Sequence, residues 1–154
     1  MAEVKQKTST IMKQAATCPN HARTDVVSGN HEMTIDEPEP RGGTDLGPPP
    51  TEVLMASLIG CTNVIAHRIA EKNGVHFQSM SIDLEATFDR RGVMLAEEVD
   101  VPFPNVTLTL NVTTDADDTA LQKVKDDLPR FCPVSKVIRG SGTVITEVWN
   151  VTRP

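Results

Sequence analysis

Between a run of prolines and a lone glycine lies a stretch that is apolar on nearly every side. Within four turns, residues 51–73 place Val53, Leu54, Met55, Ala56, Leu58, Ile59, Val64, Ile65 and Ala66. The segment predicts a helix over 51–73, with Thr51 as its cap and Gly74 just past its end. A helix apolar around its circumference is expected to be buried on all sides. His67, Arg68, Glu71 and Lys72 turn its last part toward solvent. One small sheet covers only one face. A second copy of the chain is therefore the expected cover for the other, as a homodimer with paired helices. The alternative is that a second helix and the loops complete the cover.

The remaining pattern is mixed. Residues 4–17 read as a strand rich in Thr and β-branched side chains, ending at a Cys18-Pro19-Asn20 turn. Residues 22–28 and 31–37 read as a hairpin about Ser28-Gly29-Asn30. The prolines and glycines from Pro38 to Pro50 predict a loop without regular structure. Strands are predicted over 79–89, 105–113 and 142–151 from their alternation. An amphipathic helix is predicted from Asp115 to Leu128, broken or kinked at Pro129, and a short helix from Pro133 to Arg139. The order βββ-α-ββ-α-α-β defines a single α+β domain over 1–154, without internal repeats.

Composition narrows the function. The net charge is −6, with four Phe, one Trp and no Tyr. That is neither the positive footprint nor the stacking platform of a nucleic-acid binder. Val, Ile, Leu and Phe make up about a quarter of the chain, enough for a packed core. No run of 18 apolar residues occurs, so no membrane span is expected. The first residues lack the apolar segment of a secretory signal, and three cysteines are too few for a disulfide scaffold. Both point to the reducing cytoplasm. By the same reasoning, the Asn-Val-Thr tripeptides at Asn105, Asn111 and Asn150 are strand-forming sequence rather than glycan acceptors.

The candidate chemistry lies in the thiols. Cys18 falls in a turn and reads as an incidental surface residue. Cys61 falls inside the apolar helix, where burial makes a thiol inert unless a cation is near. Cys132 directly precedes Pro133, a favoured first residue of a helix. The dipole there lowers a thiol pKa, so local physics names Cys132 the more reactive. The scattered His21, His31, His67 and His76 form no metal motif, and the spacing of Cys61 and Cys132 is no zinc pattern. Gly42-Gly43-Thr44-Asp45-Leu46-Gly47 lacks the lysine of a phosphate loop. No metal and no cofactor are expected. Asp115, Asp117 and Asp118 are explained by helix capping.

Two longer motifs resemble a family. Gly29-Asn30-His31, Asp36-Glu37-Pro38 and the run from Gly42 through Pro48-Pro49-Pro50 to Gly60-Cys61-Thr62 resemble the OsmC/Ohr superfamily. Phe131-Cys132-Pro133-Val134-Ser135-Lys136 is similar to its second cysteine motif. The resemblance covers about residues 20–150. It implies an α+β fold of antiparallel sheets about a long central helix, in an intertwined homodimer. It also implies reduction of small organic hydroperoxides, in defence against oxidative stress. By that carry-over Cys61 is the peroxidatic thiol and Cys132 the resolving thiol. A sulfenic acid on Cys61 condenses with Cys132 to a disulfide, and an external dithiol, a dihydrolipoyl group in the family, restores both. The resemblance thus overrules the dipole argument, provided an arginine reaches Cys61. Arg23 is the first choice for that cation and Arg41 the rival.

One position departs from the pattern. In the Ohr and OsmC branches a Glu directly follows the motif proline. Here Thr51 follows Pro50 and Glu52 comes next, turned by about 100° around the helix. Glu52 is the expected partner in stabilising the thiolate, and its shift is similar to a less characterised OsmC-like branch. The alternative function is an OsmC-like dimer without peroxidase activity that binds a small apolar ligand at its interface. The test between them is whether Cys61 lies within disulfide reach of Cys132 with an arginine beside it.

Overall fold

The computed structural model describes residues 8–154. Along them run β1 Gln14–Thr17, β2 Thr24–Ser28, β3 His31–Ile35, a 3-10 turn Glu39–Arg41, α1 Pro50–Lys72, β4 Ser79–Ala86, β5 Asn105–Thr113, α2 Asp118–Phe131, α3 Pro133–Gly140 and β6 Val144–Thr152. The α+β class and the element order agree with the sequence reading. The chain divides into two compact units, one reaching Val53 and the other starting at Leu54.

The first unit is an antiparallel sheet in the order β1-β2-β3. Ala15 pairs with Val27, and Val26 pairs with Met33. Gly29 turns the β2–β3 hairpin at a φ of +60°, a conformation glycine adopts without strain. The expected first strand shrinks to Gln14–Thr17. Residues 8–13 carry no regular structure, and 4–7 lie outside the described residues. The loop after β3 is organised by Asp36, the only buried residue among those described in this unit. Its carboxylate accepts from the amides of Glu37 (2.8 Å), Thr44 (3.1 Å) and Leu46 (3.2 Å) and from the Thr44 hydroxyl (2.5 Å). Those bonds, the Thr44 hydroxyl foremost, hold its pKa at about 2. The same loop passes so close to itself that a side chain on Gly43 would lie 1.6 Å from the Glu37 carbonyl oxygen. The loop was expected to be irregular throughout. It contains one 3-10 turn, because Pro40 enters where no N–H is required and the Arg41 amide reaches the Pro38 carbonyl at 2.8 Å.

The second unit holds the hydrophobic core. Along β5, Val106, Leu108, Leu110 and Val112 are buried while the alternate residues face outward. Met55, Leu58, Ala66, Ile69 and Ala70 of α1 join them, with Leu121, Val124 and Leu128 of α2, Ile138 of α3 and Ile145 of β6. Each fully buried leucine contributes about 1.5–3 kcal/mol.

α1 ends as its sequence implies. The Val75 amide bonds the Ala70 carbonyl at 2.8 Å and the Gly74 amide the Glu71 carbonyl at 3.1 Å, with Gly74 at a φ of +69°. This is the Schellman arrangement. Its start and its burial differ from expectation. Pro50 is already helical and the Pro49 carbonyl accepts from Glu52 and Val53, so Thr51 is not the cap. Within the single chain the helix buries one stripe, and Leu54 and Val64 remain 40% and 47% exposed. The uniform apolar circumference therefore exceeds what one sheet can cover. By length and composition α1 is also apolar enough to cross a membrane, contrary to the count of unbroken apolar residues. Leu58 and Ala66 nonetheless lie fully inside the core cluster, the place of a core helix.

Two further differences concern the end of the chain. α2 starts where the Asp117 side chain accepts from the Ala120 amide at 2.9 Å, and it passes through Pro129 to Phe131. A proline so near the end costs one backbone bond, and burial of Leu128 and Cys132 holds the last turn. The sheets were expected to be antiparallel. The second sheet, ordered β4-β5-β6, pairs β4 with β5 antiparallel but β5 with β6 parallel. The two intervening helices carry the chain back before β6 begins, as a parallel pair requires.

Candidate active site

Two cysteines are neighbours in the second unit. Cys61 sits on the shoulder of the buried α1 stripe, between Leu58 and Thr62, and is half-buried. Cys132 is fully buried at the junction of α2 and α3. Its amide bonds the Leu128 carbonyl at 3.0 Å, and its carbonyl accepts from Lys136 at 3.0 Å. With both backbone groups engaged in helix ends, its side chain is aimed by the fold. Both cysteines are free thiols, and Cys61 is close enough to Cys132 to raise its pKa. Cys18 is exposed in the first unit, near the Thr24 hydroxyl at 4.0 Å.

The electrostatics reverse the local sequence argument. Burial pushes the Cys132 thiol up to about 11, and the Cys61 thiol pushes in the same direction. The amides of Ser135 and Val134, at the start of α3, favour the thiolate but are outweighed. Cys132 makes no formed capping bond with its side chain. The helix terminus is present, yet desolvation of a fully enclosed sulfur wins.

Beyond Cys132 runs a chain of polar contacts that sequence reading did not flag. The Arg139 Nε donates to the Ser135 hydroxyl at 3.1 Å, and its terminal nitrogen reaches Glu147 at 3.3 Å. Burial raises the Glu147 pKa against the opposing pull of Arg139. Ser135 and Arg139 are four apart on α3, a spacing visible in the sequence. Glu147 comes from β6, and only the fold brings it there.

The other predicted residues lie in the first unit. Arg23 pairs through Nε with Asp25 at 2.9 Å, and the Thr34 hydroxyl donates to the same carboxylate oxygen. That pairing lowers the Asp25 pKa and raises that of Arg23. The rival, Arg41, pairs with Glu37 at 2.8 Å. Glu52 is exposed in the first turn of α1 and lines a surface cleft with Arg41, Asp45 and Leu46. Among the described residues no group of three His, Cys, Asp or Glu side chains gathers as a metal site requires.

The α+β fold thus carries one thiol on a long core helix and a second at the start of a later helix. The family model described as OsmC-like protein matches residues 42–147, and the chain belongs to that family. No curated protein matches the sequence. Among solved structures, the chain is similar to an OsmC-like protein from Mycoplasma pneumoniae, with a TM-score of 0.74 and 16% identity over 95% of this chain and 99% of that one. It is similar to an organic hydroperoxide resistance protein OsmC from Legionella pneumophila, with a TM-score of 0.62 and 14% identity over 95% and 99%. The organic hydroperoxide resistance protein OhrB of Bacillus subtilis matches with a TM-score of 0.56 and 19% identity over 93% and 98%. At these identities the likeness is one of fold.

Proposed function

We propose that this protein is a thiol-dependent reductase of small organic hydroperoxides acting through Cys61 and Cys132. The observation that supports the reading is that two free thiols, one half-buried and one enclosed, are neighbours close enough for Cys61 to raise the Cys132 pKa. The Cys61 thiolate attacks the terminal peroxide oxygen. The O–O bond breaks, the alcohol leaves with a proton, and Cys61 becomes a sulfenic acid. The Cys132 sulfur then attacks the Cys61 sulfur, its proton leaves with the hydroxyl as water, and a disulfide forms. An external dithiol, such as a dihydrolipoyl group, returns the two electrons. Arg23 is proposed as the cation that favours the Cys61 thiolate, with Arg41 as the rival and Glu52 as its partner. Two organic hydroperoxide resistance proteins among the similar folds support the substrate class.

The working form is proposed to be a cytoplasmic homodimer. Two observations support a second copy: α1 has an uncovered apolar face, and among the described residues of the first unit no apolar side chain is buried. Light scattering at micromolar concentration should return twice the 16.8 kDa chain mass.

The deciding assay is hydroperoxide consumption with dihydrolipoamide as reductant. Cys61→Ser should abolish it. Cys132→Ser should allow one turnover and leave Cys61 as a trapped sulfenic acid. Arg23→Ala should slow the first step. If Arg41→Ala does so instead, the cation is Arg41 and the chemistry stands. Wild-type turnover in Cys61→Ser would overturn the enzyme reading in favour of a ligand-binding dimer.

A further inference from the structure

The proposed cycle leaves open which sulfur of the disulfide the reductant attacks. We propose that the incoming thiol attacks Cys61 and that Cys132 is the leaving thiol, released toward the first turn of α3. The inference rests on the redox pair proposed above and adds the polarity of its reduction.

Thiol–disulfide exchange needs an approach to one sulfur along the S–S axis, so access to each sulfur counts as much as its chemistry. Cys132 has no exposed surface, enclosed with Leu128 and Ile138 in the core cluster. In the single chain Cys61 is half-buried on the α1 shoulder, beside Gly60 and Asn63, which are exposed. An external thiol thus reaches Cys61 and not its partner. Leaving-group quality argues the other way. A thiol pushed up to about 11 is a poorer leaving group than a free thiol, and its departure is slowed by about an order of magnitude. That factor is finite, whereas a sulfur with no exposed surface is closed to attack until the structure opens. The departing charge also has a place to go. The amides of Val134 and Ser135 favour the Cys132 thiolate, and the Ser135 hydroxyl is held by Arg139.

The electrons balance in two exchanges. The external thiolate forms a bond to the Cys61 sulfur as the Cys61–Cys132 bond breaks, and Cys132 leaves as a thiolate. Cys132 then takes a proton from solvent. The second thiol of the reductant breaks the mixed disulfide, freeing the Cys61 thiolate and oxidising the reductant to its disulfide. A protonated Cys132 is a poor nucleophile for the reverse step. A reductant with a single thiol therefore leaves a persistent adduct on Cys61.

The test maps that adduct. Cys18→Ser protein is oxidised with diamide, which forms the disulfide whether or not the protein consumes hydroperoxide. It is then pulsed with 2-mercaptoethanol, quenched in acid, alkylated with N-ethylmaleimide and read by peptide mass. The expected result is mercaptoethanol on Cys61 and maleimide on Cys132, in at least tenfold excess over the opposite pattern. The opposite pattern, or an even mixture, overturns the polarity while leaving the redox pair intact. Failure of diamide to join Cys61 to Cys132 overturns both. A clean adduct on Cys61 in a protein that consumes no hydroperoxide retains the polarity and rejects the peroxidase.

Discussion

The two thiols differ in a way that alkylation can read directly. At about pH 7.5, a thiol titrating at about 11 is thiolate in roughly 0.03% of molecules, against roughly 10% for a free thiol at about 8.5. Thiolate fraction alone disfavours Cys132 about 300-fold against a free thiol; its more basic sulfur recovers about tenfold of that, and its enclosure slows it again. Exposed Cys18 provides an internal comparison in the same molecule. The reduced protein is treated with iodoacetamide for increasing times, and each cysteine peptide is followed by mass. Cys132 should lag Cys18 by at least two orders of magnitude. Its rate should rise about tenfold per pH unit through pH 9 and 10 and level off only near 11. In guanidinium chloride the two peptides should react alike, which assigns the lag to the fold. Reaction of Cys132 within threefold of Cys18 at neutral pH would refute the reasoning. So would a plateau below pH 9, because the start of α3 would then outweigh burial.

Two further outcomes test the framework. Leu58 is fully enclosed in the core, so Leu58→Ala should cost about 2–5 kcal/mol, read as a lowered midpoint in urea unfolding, with little change for Leu54→Ala on the exposed side. Asp36 is held near 2 against an ordinary 3.8, so it contributes stability above about pH 4 that is lost as the pH falls toward 2; in Asp36→Asn that part of the acid-side loss should vanish from melting temperatures recorded between pH 2 and 6.

Local chemistry fixed much of the outline. Gly74 ends α1 because its backbone freedom acts within one turn, and Asp117 caps α2 for the same local reason. The alternation of Val106, Leu108, Leu110 and Val112 marks β5 because a pleated strand sends successive side chains to opposite faces. The two cysteine motifs were readable as a family pattern. What they do to one another was not, because a thiol's pKa depends on everything that encloses it. From the chain alone the start of α3 made Cys132 the reactive sulfur; the packed core around it reversed the sign. The parallel pairing of β6 on β5, the passage of α2 through Pro129 and the reach of Arg139 to Glu147 arise in the same way. Each depends on contacts between segments far apart in sequence. Dipoles and propensities act over a turn or two, whereas desolvation and strand pairing are set by whatever the whole fold brings alongside.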